Sequence, residues 1–123
     1  MLANDTVTEE IIAAAIEVHR ILGPGLLEEI YEQALCVEFD LRGIAYERQV
    51  PVDLVYKTQL LKGQRIDLVV RRQVIVELKS SSKPSDLALA QVISYLKAAG
   101  LKRGLIINFY HHRLVDGVKR VSV

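Results

Sequence analysis

The chain has 123 residues, half of them hydrophobic and a quarter charged, which suffices for one domain with a buried core and excludes disorder, collagen-like repeats and a coiled coil. The single cysteine, Cys36, excludes a disulfide framework and a cysteine-built zinc site, no apolar run reaches the roughly 18 residues of a membrane span, and the polar start MLANDTVTEE does not read as a secretory signal, so a cytoplasmic protein is expected. The net charge of +1 conceals a split: residues 1–56 carry eleven Asp/Glu against three Lys/Arg, and residues 57–123 carry four against thirteen. That asymmetry points either to a polyanion such as nucleic acid, or to oppositely charged halves that pack together within one chain or across a homodimer.

In chain order, Thr6-Val-Thr-Glu9 fits a capping box, and behind it Ile12, Ala15, Ile16, His19 and Leu22 recur at helical spacing. Gly23-Pro24-Gly25 breaks that helix. A second helix is predicted from about Leu26 to Arg42, stopped by Gly43. The period then changes. Ile44 to Tyr56 is rich in Val, Tyr and Ile and reads as one or two strands around Pro51; Lys57 to Gly63 reads as a turn. Arg65 to Val70 and Val74 to Lys79 read as two strands joined through Arg71-Arg72-Gln73. A third helix is predicted from Ser85, its cap, to Ala99, with Gly100 as its stop. Leu105 to Asn108 reads as a short central strand and Leu114 to Val123 as an edge strand. Two helices, a meander, a helix and further strands make an α/β or α+β layer with a mixed sheet, a single domain over residues 1–123.

The strand pair holds the chemistry. Asp67 lies in one otherwise apolar strand, and Glu77 and Lys79 in the next; charges are rare there unless paired or bound to metal. Side chains alternate faces, so Glu77 and Lys79 share one. A three-residue loop, Arg71 to Gln73, sets Val70 opposite Val74 and therefore Asp67 opposite Glu77, on the same face. Facing carboxylates repel unless a positive charge lies between them. Mg²⁺, which takes one or two carboxylates plus water and phosphate oxygens, is the natural candidate, with Mn²⁺ as its substitute. Lys79 then serves as a point charge beside the phosphate or the attacking water.

Asp67 followed by Glu77-Leu-Lys79 resembles the D…(D/E)xK signature of the PD-(D/E)XK nuclease superfamily. Gln91-Val-Ile-Ser-Tyr95 looks like the QxxxY helix motif of its exonuclease-like branch, and Gly25-Leu-Leu-Glu28-Glu-Ile-Tyr31 matches the GxxExxY motif that names a family of small bacterial and archaeal proteins in that superfamily. Ile16 to Gly25 and Gly104 to Asn108 are similar to the same family. Ile66 stands where the superfamily name has proline. The resemblance implies a restriction-endonuclease-like fold, a mixed central sheet flanked by helices. It also implies metal-dependent phosphodiester hydrolysis in DNA or RNA. Asp67 and Glu77 would be metal ligands, Lys79 the catalytic lysine, Glu28 the helix acid that completes the metal site, and Gln91 and Tyr95 the groups that orient substrate or the lysine.

Helical spacing agrees on placement. Glu28 shares a face with Tyr31, Leu35 and Phe39, and Gln91 with Ala88, Val92, Tyr95 and Ala99, so both are expected to point inward. His19 and Tyr31 read as supporting residues: His19 as a core histidine or a support for Glu28, Tyr31 as a core ring with a bonded hydroxyl. His111-His112 reads as a solvated loop, and Cys36 is no nucleophile in its acidic helix. Lys83, Lys97, Lys102 and Arg103 are the cations expected to meet phosphates. The competing reading is a nucleic-acid- or protein-binding module that keeps the fold without turnover, since a chain this short has little room for a lobe that grips substrate.

Overall fold

The computed structural model of the chain describes residues 3–83 and 86–123, with side chains from Thr6 onward in the first helix. Helices α1 (Ala3–Leu22) and α2 (Glu28–Arg42) precede strands β1 (Tyr46–Tyr56), β2 (Gln59–Val70) and β3 (Val74–Lys79). Helix α3 (Asp86–Ala99), β4 (Arg103–Asn108), a 3-10 turn at Leu114–Gly117 and β5 (Val118–Ser122) follow. The five strands form one sheet in the order β1-β2-β3-β4-β5. Only the β3–β4 pair is parallel. The α3 crossover that a parallel pair requires therefore lies on one face of the sheet.

Period-2 alternation in the strands explains the layers. Val74, Val76 and Leu78 of β3, with Leu68, Val70, Leu105 and Ile107, face Ile11, Ala15, Tyr31, Leu35 and Phe39 of α1 and α2. Ile75, with Val69 and Ile106, faces Val92, Tyr95 and Leu96 of α3. β3 is thus covered on both sides, which is why its sequence is an almost unbroken apolar run. Gly104 allows α3 this close: a Cβ there would lie 2.9 Å from Val92 Cγ1. Gly43 ends α2 at φ 70, and the Ile44 amide returns to the Phe39 carbonyl at 2.9 Å.

This is the α/β arrangement expected, with local corrections. α1 begins at Ala3, so Thr6 and Glu9 lie inside the helix and do not form a capping box. Ser85, expected to cap α3, lies outside the described residues. β1 is one strand through Pro51; at the sheet edge a missing N–H costs no ladder bond. Leu114–Gly117 is a 3-10 turn rather than strand, and the central strand is β3, with β4 beside it. The turn expected over 57–63 shrinks to Lys57-Thr58, because Gln59 to Gly63 continue β2. β1 and β2 consequently outrun the sheet. Their pairing extends from Tyr46↔Val70 to Tyr56↔Gln59, whereas β2 meets β3 only from Val70↔Val74 to Leu68↔Val76.

Part of the charge split is satisfied within the molecule. Glu9–Arg120, Glu10–Arg71 and Asp53–Lys62 pair across the acidic and basic halves at 2.9, 2.8 and 3.2 Å.

Candidate active site

The turn Arg71 to Gln73 holds two non-glycine residues at positive φ, Arg71 at 51° and Arg72 at 56°. It closes with the Gln73 amide on the Val70 carbonyl at 3.0 Å. This sets Val70 opposite Val74, as the loop length implies. Regular pairing stops at Leu68↔Val76, and one residue further on the Asp67 side chain replaces it: Oδ2 accepts the Leu78 N–H at 2.9 Å. The carboxylate is thereby held against β3 beside Glu77.

Glu77 is buried on the α3 side of the sheet. Its Oε2 lies 3.7 Å from Lys79 Nζ, and its buried Oε1 has no hydrogen-bond partner among the described residues. Burial pushes its carboxyl up to about 7. The Asp67 charge adds to the rise, Lys79 opposes it, and Glu28 contributes in the same direction as Asp67. On α3, Gln91 Nε2 donates to Tyr95 Oη at 2.8 Å, and Tyr95 Oη donates to Gln64 Oε1 at 3.0 Å. Burial raises the Tyr95 phenol, the Gln91 hydrogen bond lowers it, and the Glu77 and Asp67 charges raise it further. The QxxxY residues therefore sit in the field of the acid pair.

These groups meet at one end of the sheet. A cleft of about 560 Å³ is lined by Glu28, Lys79, Ser81, Lys83, Gln91 and Asn108, among others. Glu28 does not point inward with Tyr31, Leu35 and Phe39, which are fully buried. It is exposed on the first turn of α2 and overlooks the cleft. Gln91 is half-buried and Ala99 is exposed.

Tyr31 explains how Glu28 comes to be there. Its hydroxyl donates to the Gly23 carbonyl at 2.6 Å and accepts the Leu26 amide at 3.1 Å, while its ring stacks on Phe109 at 4.2 Å. The Leu26 carbonyl in turn accepts the Ser80 hydroxyl at 2.6 Å, just beyond Lys79. Gly25, at φ 99, allows the tight path between them. In the GxxExxY segment, then, the glycine and the tyrosine shape the loop and the acid is what the loop presents.

His19 is buried, with Nε2 2.9 Å from the His111 carbonyl, so it braces the segment after β4 and not Glu28. Burial pushes the Cys36 thiol up, in keeping with an inert side chain. Two site-end residues escaped the sequence reading. Gln64 falls between the expected turn, Lys57 to Gly63, and the strand expected from Arg65. Asn108, at the end of an apolar strand, donates to the Ser81 carbonyl at 2.8 Å and accepts the amides of Ser81 and Tyr110 at 3.2 and 3.1 Å. A lone amide closing an apolar strand was the available signal.

Of the four cations expected at phosphates, only Lys83 lines the cleft. Arg103 pairs with Val74 at the opposite end of β4 from Asn108, which pairs with Lys79. Lys102 precedes it and Lys97 closes α3, at that same far end.

Among the described residues, no group of three or more His, Cys, Asp or Glu gathers as an ion site. The donors within reach of one another are the Asp67 and Glu77 carboxylates, hard oxygens with one lone oxygen unpaired. That set suits an ion that completes its shell with water and substrate oxygens.

No helix among the described residues is long and apolar enough to cross a membrane. Neither the curated proteins nor the solved structures yield a match to this chain. A family model described as the PD-(D/E)XK nuclease superfamily matches residues 5–121, nearly the whole chain and every element described above that bears on the cleft. The chain belongs to the PD-(D/E)XK nuclease superfamily.

Proposed function

We propose that this protein is a metal-dependent nuclease that hydrolyses phosphodiester bonds in DNA or RNA, of the GxxExxY type within its superfamily. Membership of a nuclease superfamily implies nucleic acid as substrate. The observation that carries the finer reading is Glu77: a buried carboxylate with an unpartnered oxygen, raised to about 7 by burial and by Asp67. A purely structural acid would have its oxygens satisfied.

Asp67 and Glu77 would hold Mg²⁺ or Mn²⁺ behind the cleft wall, and Glu28, which lines the cleft, is near enough for its charge to act on Glu77. When bound, such an ion supplies a water of lowered pKa and neutralises charge on the phosphate. In hydrolysis the water oxygen bonds to phosphorus, the phosphorus–oxygen bond to the leaving alcohol breaks, and a proton passes to that alcohol. Lys79, tethered to Glu77 at 3.7 Å, supplies positive charge where the phosphoryl oxygens gain negative charge. Gln91 presents its amide to the cleft and is kept in place by Tyr95.

A second reading, a binding module without turnover, is favoured by the lack of a three-acid cluster among the described residues. Purified protein with Mg²⁺ or Mn²⁺ should cleave nucleic acid, and Lys79→Ala, purified identically, should lose about 10²-fold or more in rate while binding and fold persist. Equal cleavage by both proteins across single- and double-stranded DNA and RNA would put the binding module first.

A further inference from the structure

The cleft is poor in cations. Lys97, Lys102 and Arg103 lie at the other end of the sheet, which leaves Lys79 and Lys83 near the acids. The arm formed where β1 and β2 outrun the sheet offers what is missing. Continuing the Val70↔Val74 register puts Arg65 level with Lys79. Gln59 to Gln64 therefore run past the catalytic end of β3, by about 20 Å if fully extended. The base of the arm is joined to the site, because Gln64 accepts the Tyr95 hydroxyl that Gln91 also bonds.

The arm has two unequal chemistries. Its polar side is basic. Residues 51–65 carry Lys57, Lys62 and Arg65 against one acid, Asp53; Lys62 and Asp53 pair with each other, which leaves Lys57 and Arg65 as the excess. The apolar residues toward its tip are bare: Val55, Tyr56, Leu60 and Leu61 are 68%, 60%, 56% and 49% exposed. Leu54 packs against the cluster beneath α3, so by alternation Tyr56, and Leu61 opposite Leu54, look to the same side of the sheet as Glu77. Lys57 Nζ lies 5.6 Å from the centre of the Tyr56 ring. An exposed ring with a cation beside it, next to an apolar strip, is the recognition chemistry of unpaired bases, whose faces stack while the cations track phosphates. A duplex offers the arm only groove edges and phosphates.

We infer that the β1–β2 arm is the substrate grip of this enzyme and that it holds a single-stranded segment of nucleic acid, with a base on Tyr56 and a phosphate on Lys57, so that the strand enters the cleft. The inference rests on the nuclease reading of the cleft and names its substrate class.

Fluorescence anisotropy in EDTA, with labelled single-stranded and duplex oligonucleotides of DNA and of RNA, tests it. The wild type should prefer the single strand. Tyr56→Ala should weaken that binding by about tenfold, Tyr56→Trp should restore it, and Lys57→Ala should reduce its salt dependence, all with unchanged melting temperature. Wild-type binding that the arm variants leave intact but Lys83→Ala weakens would overturn the arm and spare the cleft. Absence of wild-type binding to any oligonucleotide would overturn both. A wild-type dimer in sedimentation that Tyr56→Ala disperses would assign the arm to a second copy of the chain and overturn the inference.

Discussion

The Asp67 carboxylate accepts the Leu78 amide at 2.9 Å, so one side chain both ends a β-ladder and sets a negative charge beside Glu77. The two duties can be separated. Asp67→Asn keeps an acceptor for Leu78 and removes the repulsion. In chelator it should melt at or above the wild-type temperature. Asp67→Ala orphans the amide and should cost about 1–3 kcal/mol. An Asn variant as destabilised as the Ala variant would show that Asp67 is held by its charge.

Glu77 gives metal-free stability a particular pH dependence. Its folded pKa of about 7 lies above the ordinary 4.5. Between those values the native state holds a proton that the unfolded chain has released, so the contribution is full below about pH 4.5 and is lost as pH rises to about 7. The span corresponds to about 3 kcal/mol. Urea unfolding in EDTA should show wild-type stability declining through this window relative to Glu77→Gln, whose amide has no proton to lose. Parallel curves for the two proteins would contradict the assignment.

Tyr31→Phe removes a hydroxyl that joins Gly23 to Leu26 and keeps the ring on Phe109. Stability should fall by about 1–2 kcal/mol, and proteases should nick the segment between α1 and α2 more readily. An unchanged cleavage pattern would mean that the loop is held without the tyrosine.

The cations should sort by position. Lys83→Ala should weaken nucleic-acid binding and lower the log–log salt slope by about 0.7 to 0.9, the amount expected when one fewer phosphate is neutralised, while Lys102→Ala should leave both unchanged. Equal effects of the two substitutions would return the far end of the sheet to the binding surface.

The Asp67–Glu77–Lys79 placement was legible because it depends on local rules: alternation along a strand and the parity of a three-residue turn. The fold was legible for the same reason, since the periods of its helices and strands are strong. The orientation of Glu28 was not, because it follows from Tyr31 pulling a glycine-rich loop across Phe109, an interaction between distant segments. The arm was hidden by Lys57 and Gly63, which read as turn residues. In fact Lys57 itself adopts φ 57 in a two-residue turn, and Gly63, at φ 101, lies within the strand. The far placement of Lys102 and Arg103 follows from the parallel crossover, which returns the chain to the start of β3 before β4 begins.

Pro51 has a consequence outside the site. An edge strand with free backbone groups is a template for adding strands from other molecules, and β1 and β5 are the two edges here. On β1 the proline has no N–H to offer, and the register shift between Val52 and Leu54 interrupts regular pairing. On β5, Lys119 and Arg120 stand exposed. Both outer borders of the sheet therefore resist edge-to-edge growth into fibrils.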